Sequence, residues 1–255
     1  MINNLKSKMQ NGERTLGTFL ELGSELAIEC LGYTGLDFFI IDQEHGPFDI
    51  GETVGFLRAA ELSEITPLVR VKDISRPSIL KNLDIGAKGL IVPNVESVEE
   101  AKLLVEWAKY SPIGKRGYFM ARPSGYGNKD YAKDMNNYFE TSNKETLLIP
   151  QCETMGALNN IEEILALEGI DGIFIGPFDL TIAMGIPAQF SAPEYKKALD
   201  RVLKACKENN KFCFIFSPDK KTAQEYINSG FDAVAIGMDA SHYIQAFKDL
   251  VNSFK

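Results

Sequence analysis

The sequence predicts a (β/α)8 barrel of the α/β class. Three observations point there: short runs of Ile, Leu, Val and Phe recur eight times, amphipathic segments of helical spacing separate most of them, and glycines stand where those helices should stop. Nearly continuous apolar runs suit parallel strands covered on both faces. Strand–helix alternation carried through eight units closes economically into a barrel. The 255 residues match one such barrel, so the chain is read as a single domain over residues 1–255.

The first run, LGTFLEL from Leu16, is followed by DFFIID from Asp37, TPLVRV from Thr66 and KGLIVP from Lys88. The second half supplies TLLIPQ from Thr146, DGIFIG from Asp171, KFCFIF from Lys211 and DAVAIG from Asp232. Between the fourth and fifth runs, SVEEAKLLVEWAKY opens on Ser97 with Glu100 three residues on, the spacing of a capping box. PEYKKALDRVLKACKENN from Pro193 is a second segment of helical period. Gly86, Gly169 and Gly230 each fall where a helix should end before the next strand. A doubly wound open sheet is the rival architecture, but GTFLELGSE matches the G-x-G-x-x-G turn of such folds poorly. One stretch breaks the rhythm. Tyr110 to Glu145, rich in Gly, Tyr, Arg and Asn, is long enough to be a functional loop, with a solvated insertion as the plainer alternative.

Hydrophobic residues make up 45% of the chain and charged residues 24%, an ordinary globular balance. The net charge is −8, with acids scattered among bases. That argues against a nucleic-acid partner, because phosphate binding wants a basic face. Anionic small molecules stay open as substrates, since a few local arginines can hold them. Cys30, Cys152, Cys206 and Cys213 show no CxxC pairing or framework spacing and read as reduced thiols of a cytoplasmic protein. The first fifteen residues lack the apolar centre of a signal peptide. No apolar stretch approaches the ~20 residues needed to cross a bilayer, so no membrane partner is expected.

In a barrel of this kind, catalytic side chains project from the C-terminal ends of the strands. The second run ends in Asp42, Gln43, Glu44 and His45, the third in Arg70 and Lys72, and the fourth in Pro93 and Asn94. The fifth ends in Gln151 and Glu153, and the sixth in Gly176, Pro177, Phe178 and Asp179. Titratable groups from several strands thus converge on one rim. Glu153 and Asp179 would stand on adjacent strands. Two carboxylates without a cysteine suit a hard, octahedral cation such as Mg²⁺ or Mn²⁺, with Co²⁺ a further candidate. An ion pair, a helix cap at Asp179 or a glycosidase-like acid/base pair are alternatives for the same two residues.

His45 ends a strand among acids, a setting that orients a ring for proton transfer. His242, on the last helix, is read as structural. Arg70 presents a fixed fork to carboxylates and oxyanions, and its plain alternative is a salt bridge with Asp42 or Glu44. Lys72 shares the strand face of Arg70 and raises a Schiff-base route. That route ranks second, because nothing in the sequence desolvates the amine and the carboxylate pair offers a competing electrophile.

The segments DFFIIDQEHGPFD, PLVRVKD, QCETMGALNNIEEIL and GIDGIFIGPFDLTIAMG together resemble the HpcH/HpaI class II aldolases of the phosphoenolpyruvate/pyruvate barrel superfamily. The similarity runs over nearly the whole chain in the right order. It implies a metal-dependent lyase that cleaves a 4-hydroxy-2-oxo acid to pyruvate and an aldehyde. On that resemblance Glu153 and Asp179 are the metal ligands, His45 is the catalytic histidine, and Arg70 steadies the enolate. Asp42 and Asp84 would be acids that support the histidine, Asp84 acting across a subunit interface. Gln151, with Gly176, Pro177 and Phe178 of the same rim, would lie beside the bound keto acid. The resemblance also implies a homo-hexamer with exchanged C-terminal helices. Gln43 and Phe178 stand where the family often has small residues. The stretch RGYFMARPSGYG keeps Arg116 and Gly117 but departs afterwards, and the loop around Arg122 is expected to meet the aldehyde half.

Two other functions compete. A related lyase of the same superfamily acting on a CoA ester or phosphoenolpyruvate would call for an extended basic groove, which the net acidity does not favour. A non-catalytic binding barrel is disfavoured by the intact set of Glu153, Asp179, His45 and Arg70.

Overall fold

Each of the eight apolar runs forms a strand, and the strands close on themselves in sequence order. In this computed structural model, which describes residues 2–255, they are β1 (Thr15–Leu20), β2 (Phe38–Asp42), β3 (Thr66–Arg70) and β4 (Gly89–Val92), then β5 (Leu147–Cys152), β6 (Gly172–Ile175), β7 (Phe212–Ser217) and β8 (Ala233–Met238). Neighbours pair in parallel, and β1 meets β8 to shut the barrel. The helices of the first half are α1 (Asn4–Gln10), α2 (Glu25–Gly32), α3 (Ile50–Leu62), α4 (Arg76–Ile85), α5 (Val98–Ala108) and α6 (Met135–Glu145). Those of the second half are α7 (Met155–Asn159), α8 (Ile161–Ala166), α9 (Pro177–Ala183), α10 (Pro193–Glu208), α11 (Lys220–Ser229) and α12 (Asp239–Asn252).

The two-residue period of a strand divides the core in two. Phe38 and Ile40 of β2 point into the barrel with Phe19, Leu68, Ile91, Ile149, Phe174 and Phe214, while Phe39 and Ile41 pack outward under the helices. The barrel is therefore filled by side chains and has no bore. Continuing each inward series toward the strand C-terminus brings Asp42, Arg70 and Gln151 onto the upper rim. The register places Asp42 directly beside Arg70.

The opposite end is closed by α1, whose Leu5 and Met9 join the inner cluster. This helix went unmarked in the sequence because it is short and polar on its outer face. Asn3 caps it and ties it to the barrel through Glu145 Oε2 (2.8 Å) and the Lys88 carbonyl (3.0 Å).

Predicted helix ends are largely met. Ser97 and Glu100 form a reciprocal capping box on α5. Gly86 and Gly230 close α4 and α11 in the left-handed region, at φ 109° and 103°. Gly169 does not cap a helix. α8 stops at Ala166 and is capped by Leu167, and Gly169 instead takes its positive φ (94°) in the turn into β6.

The irregular stretch from Tyr110 to Glu145 also departs from expectation. It follows α5, makes two single 3-10 turns and then forms the helix α6 where only a loop was expected. Its aromatic residues make a small core of their own, Tyr110 stacking on Phe139 at 4.3 Å with Tyr118, Tyr131 and Tyr138 around them. Arg122 donates to the Ile85 carbonyl (3.1 Å) and pairs with Glu61 (2.6 Å), which puts it against the ends of α4 and α3, far from the rim. Within one chain, the loop around Arg122 does not reach the aldehyde half of any substrate bound at the rim.

Candidate active site

A cavity of about 290 Å³ opens at the C-terminal ends of the strands, lined by Phe19, Glu21, Asp42, His45, Arg70, Gln151, Phe174, Gly176, Pro177, Phe178, Phe216 and Met238. Six of the residues expected at a site are thus on its wall, together with Asp42.

Asp42 and Arg70 form its floor. The Arg70 fork is bidentate, Nε donating to Asp42 Oδ1 (2.9 Å) and Nη2 to Oδ2 (2.5 Å), with Nη1 3.1 Å from Glu44 Oε2. The guanidinium also lies over the Phe19 ring, 5.1 Å from its centroid. The salt bridge foreseen as the alternative for Arg70 therefore exists, and it leaves the guanidinium on the cavity wall. Asp42 was expected to support the histidine ring. Instead, its Oδ1 accepts the backbone N–H groups of Glu44 (3.0 Å) and His45 (3.3 Å). It shapes the turn that presents His45, and the imidazole itself is exposed with no protein partner among the described residues.

Neither member of the carboxylate pair lines the cavity itself: Glu153 packs against Gln151 and Gly176 of the wall, and Asp179 follows Phe178. Glu153 follows β5 and is only 5% exposed. The backbone N–H of Asn94 donates to its Oε1 (2.7 Å), and Gln151 Nε2 donates to its Oε2. Asn94 aims that N–H from the left-handed region (φ 56°), where asparagine is among the few residues at ease. Its side chain reaches Glu44 Oε1 at 2.9 Å. Burial pushes the Glu153 carboxyl up to about 7, opposed by the Asn94 N–H and reinforced by Glu44 and Asp179. Asp179 stands in the first turn of α9, exposed, and among the described residues makes neither an ion pair nor a capping bond.

One buried oxygen nearby, Gln151 Oε1, has no partner, and Glu44 Oε2 has only its ion pair with Arg70. A close group of carboxylates with an unpartnered amide oxygen and no sulfur donor is the environment a hard divalent cation neutralises. The residues present therefore fit such an ion. Among the described residues no cluster of three or more His, Cys, Asp or Glu is assembled for a metal. Glu153 and Asp179 would supply two ligands and leave the remaining positions to water and substrate.

Several expected residues lie elsewhere. Asp84, in the last turn of α4, pairs with Arg116 at 2.7 Å and is not on the cavity wall of this chain. Lys72 is exposed and also off the wall, so the desolvation a Schiff-base amine needs is missing. Gln43 trades hydrogen bonds with Asn82 (3.0 and 2.8 Å) and donates to Thr53 (2.9 Å), tying the β2 turn to α3 and α4. His242 Nε2 lies 2.9 Å from the Ile236 carbonyl, the structural role expected of it. Sequence reading missed Phe19, Glu21, Phe174, Phe216 and Met238. The period of β1 and β7 could have found Phe19, Glu21 and Phe216, which continue inward-facing series.

A barrel that gathers carboxylates, a histidine and a forked arginine on its C-terminal rim belongs to the class of (β/α)8 enzymes. The particular family follows from comparison with known proteins. The sequence profile of the HpcH/HpaI aldolase/citrate lyase family matches residues 15–246, and the chain belongs to that family. It is 32% identical to a hydroxypyruvate/pyruvate aldolase of Roseobacter denitrificans, over 100% of this chain and 98% of the relative. It is 34% identical to a 5-keto-4-deoxy-D-glucarate aldolase of Enterobacter sp., over 99% and 97%. The crystal structure of an HpcH/HpaI aldolase/citrate lyase family protein from Burkholderia cenocepacia superposes with a TM-score of 0.90 at 30% identity, covering 99% of both chains.

Proposed function

We propose that this protein is an aldolase that reversibly cleaves a 4-hydroxy-2-oxo acid to pyruvate and an aldehyde, with a divalent metal ion, Mg²⁺ or Mn²⁺, held by Glu153 and Asp179. The observation that carries the reading is the juxtaposition of a pre-held guanidinium and an unpartnered Gln151 oxygen on one small cavity, with the Glu153 carboxylate packed behind Gln151 and Gly176 of its wall. The names of the relatives support the same reaction class.

When bound, the cation supplies Lewis acidity toward the 2-oxo acid. The protein groups do the rest. Arg70, already fixed by Asp42 and Glu44, meets the negative charge that develops on the keto oxygen as the C3–C4 bond breaks. His45, exposed to the cavity and free to turn, accepts the proton of the 4-hydroxyl as that oxygen becomes the aldehyde carbonyl. The electron pair of the broken bond passes to C3 as the enolate, and protonation there yields pyruvate. Gln151, Gly176, Pro177 and Phe178 wall the keto acid, and the small Gly176 is required because a Cβ there would lie 2.8 Å from Gln151 Nε2 and 3.0 Å from Glu153 Oε2. Asp84 is assigned to a neighbouring subunit's site on the family resemblance.

Homo-oligomerisation, to a hexamer, is supported by the apolar residues that α12 leaves exposed, among them Tyr243, Ile244, Phe247 and Leu250. The four cysteines are free thiols, which supports a reducing, cytoplasmic setting. No helix among the described residues is long and apolar enough to cross a membrane. The test is direct. EDTA should abolish cleavage of a 4-hydroxy-2-oxo acid and Mn²⁺ or Mg²⁺ should restore it. Full activity in EDTA, with borohydride trapping pyruvate on Lys72, would establish the Schiff-base route instead.

A further inference from the structure

Resting on the aldolase reading, one acid on the cavity wall has no part in the steps above. Glu21 follows β1 and continues the inward series of Gly17 and Phe19, so its side chain opens into the cavity beside Asp42. Its position is held from behind. The carboxylate of Asp239, buried at the start of α12, accepts the backbone N–H groups of Glu21 (2.7 Å) and Leu22 (3.3 Å). The Glu21 carboxylate itself makes no hydrogen bond or ion pair among the described residues. Burial raises its pKa, with Asp42 and Asp239 adding to the effect and Arg70 and His45 opposing it. In the closed strand order β1 lies across the barrel from β5, so Glu21 faces the mouth from the side opposite Glu153.

The charge on the rest of the wall is one-sided. Among the described residues Arg70 and His45 are the only groups on the cavity wall that can carry positive charge; Arg70 is bridged to Asp42 and Glu44 and turned to the keto-acid half, and His45 is assigned to the 4-hydroxyl. On the Glu21 side the remaining wall is apolar, made by Phe19, Phe216 and Met238. A second carboxylate on the aldehyde half would meet Glu21 on that apolar side, with Asp42 adding to the repulsion and only Arg70 and His45 across the cavity to oppose it. A hydroxyl would instead donate to it, a charge-assisted bond to an acceptor that now has no partner.

We propose that Glu21 selects the aldehyde half of the substrate, favouring a neutral aldehyde with a hydroxyl beside its carbonyl and rejecting one that ends in a carboxylate. Glu21 touches the acceptor through this hydroxyl and takes no proton in the carbon–carbon step.

The test compares kcat/KM for condensation of pyruvate, with Mn²⁺, onto two aldehydes of similar size, glycolaldehyde and glyoxylate. The wild-type protein should favour glycolaldehyde. Glu21→Gln should shift the ratio toward glyoxylate by about tenfold or more, and Glu21→Asp should keep the wild-type order. A wild-type preference for glyoxylate overturns the inference, as does a Glu21→Gln ratio within about twofold of wild type. If the Gln variant does not fold, the wild-type ratio and the Asp variant decide. Metal-dependent proton exchange at the methyl group of pyruvate needs no aldehyde and separates the two levels. Its absence in the wild type removes the aldolase reading and Glu21's role together, whereas exchange with an unmoved aldehyde ratio removes only the role of Glu21.

Discussion

The Arg70 fork is held in place by its neighbours, and in the proposed reaction it would enter already oriented. Two hydrogen bonds to Asp42 and a contact to Glu44 fix its fork before substrate arrives, so little ordering is left for the transition state. A lysine cannot reproduce that fork, since it offers a point charge on a flexible stem. Arg70→Lys is therefore expected to lower kcat for cleavage by about 10²–10³-fold and to suppress proton exchange at the pyruvate methyl alike. Undiminished exchange would take Arg70 out of its role. On the proposed mechanism His45 acts on the other half of the substrate. His45→Ala should damage cleavage far more than exchange, and equal loss in both assays would contradict the assignment. Much of this residue set was legible because strand ends could be read from apolar runs and the polar residues that stop them. The roles of Asp42 and Asn94 were not. Both work through backbone N–H groups, one accepting and one donating, and such bonds depend on turn geometry that no spacing reveals.

At the scale of elements, β1 packs closely against β2 inside the barrel. A Cβ on Gly17 would lie 2.5 Å from the Phe38 ring, and that ring packs edge-on to Phe214 at 6.2 Å. Gly17→Ala should cost about 1–3 kcal/mol by overpacking. At roughly 2–4 °C per kcal/mol for a chain of this size, the melting temperature should fall by several degrees. An unchanged Tm would mean that Phe38 finds another rotamer. The strands were legible because parallel strands buried on both faces leave dense apolar runs. α5 was legible through Ser97 and Glu100. α1 and α6 escaped notice for a shared physical reason. Each is polar on most of its surface and is held by side chains distant in sequence, as when Asn3 bonds Glu145.

Across the whole molecule, α12 is the element the isolated chain leaves unfinished. Tyr243, Ile244, Phe247, Leu250 and Val251 are all at least half exposed or close to it, and a helix alone gains little by ordering such residues in water. Covering them with a second copy removes that apolar area from solvent. A Tyr243→Ser, Phe247→Glu double variant is expected to run as a smaller species than wild type in light-scattering chromatography. An unchanged mass would place the interface elsewhere. The variant should retain its far-UV circular dichroism, because the barrel core does not include these side chains.

The sequence by itself determined the barrel, the rim of Asp42, His45, Arg70, Gln151, Glu153 and Asp179, and the family. Strand period and strand ends are local properties, written in consecutive residues. Only the tertiary structure decided which of these groups touch. It turned Asp42 toward Arg70, sent the Tyr110–Glu145 stretch away from the cavity, and brought Glu21 from β1 to face a carboxylate pair across the barrel. Those relations join residues distant in the chain, and their energies depend on burial and through-space charge, which exist only once the barrel has closed.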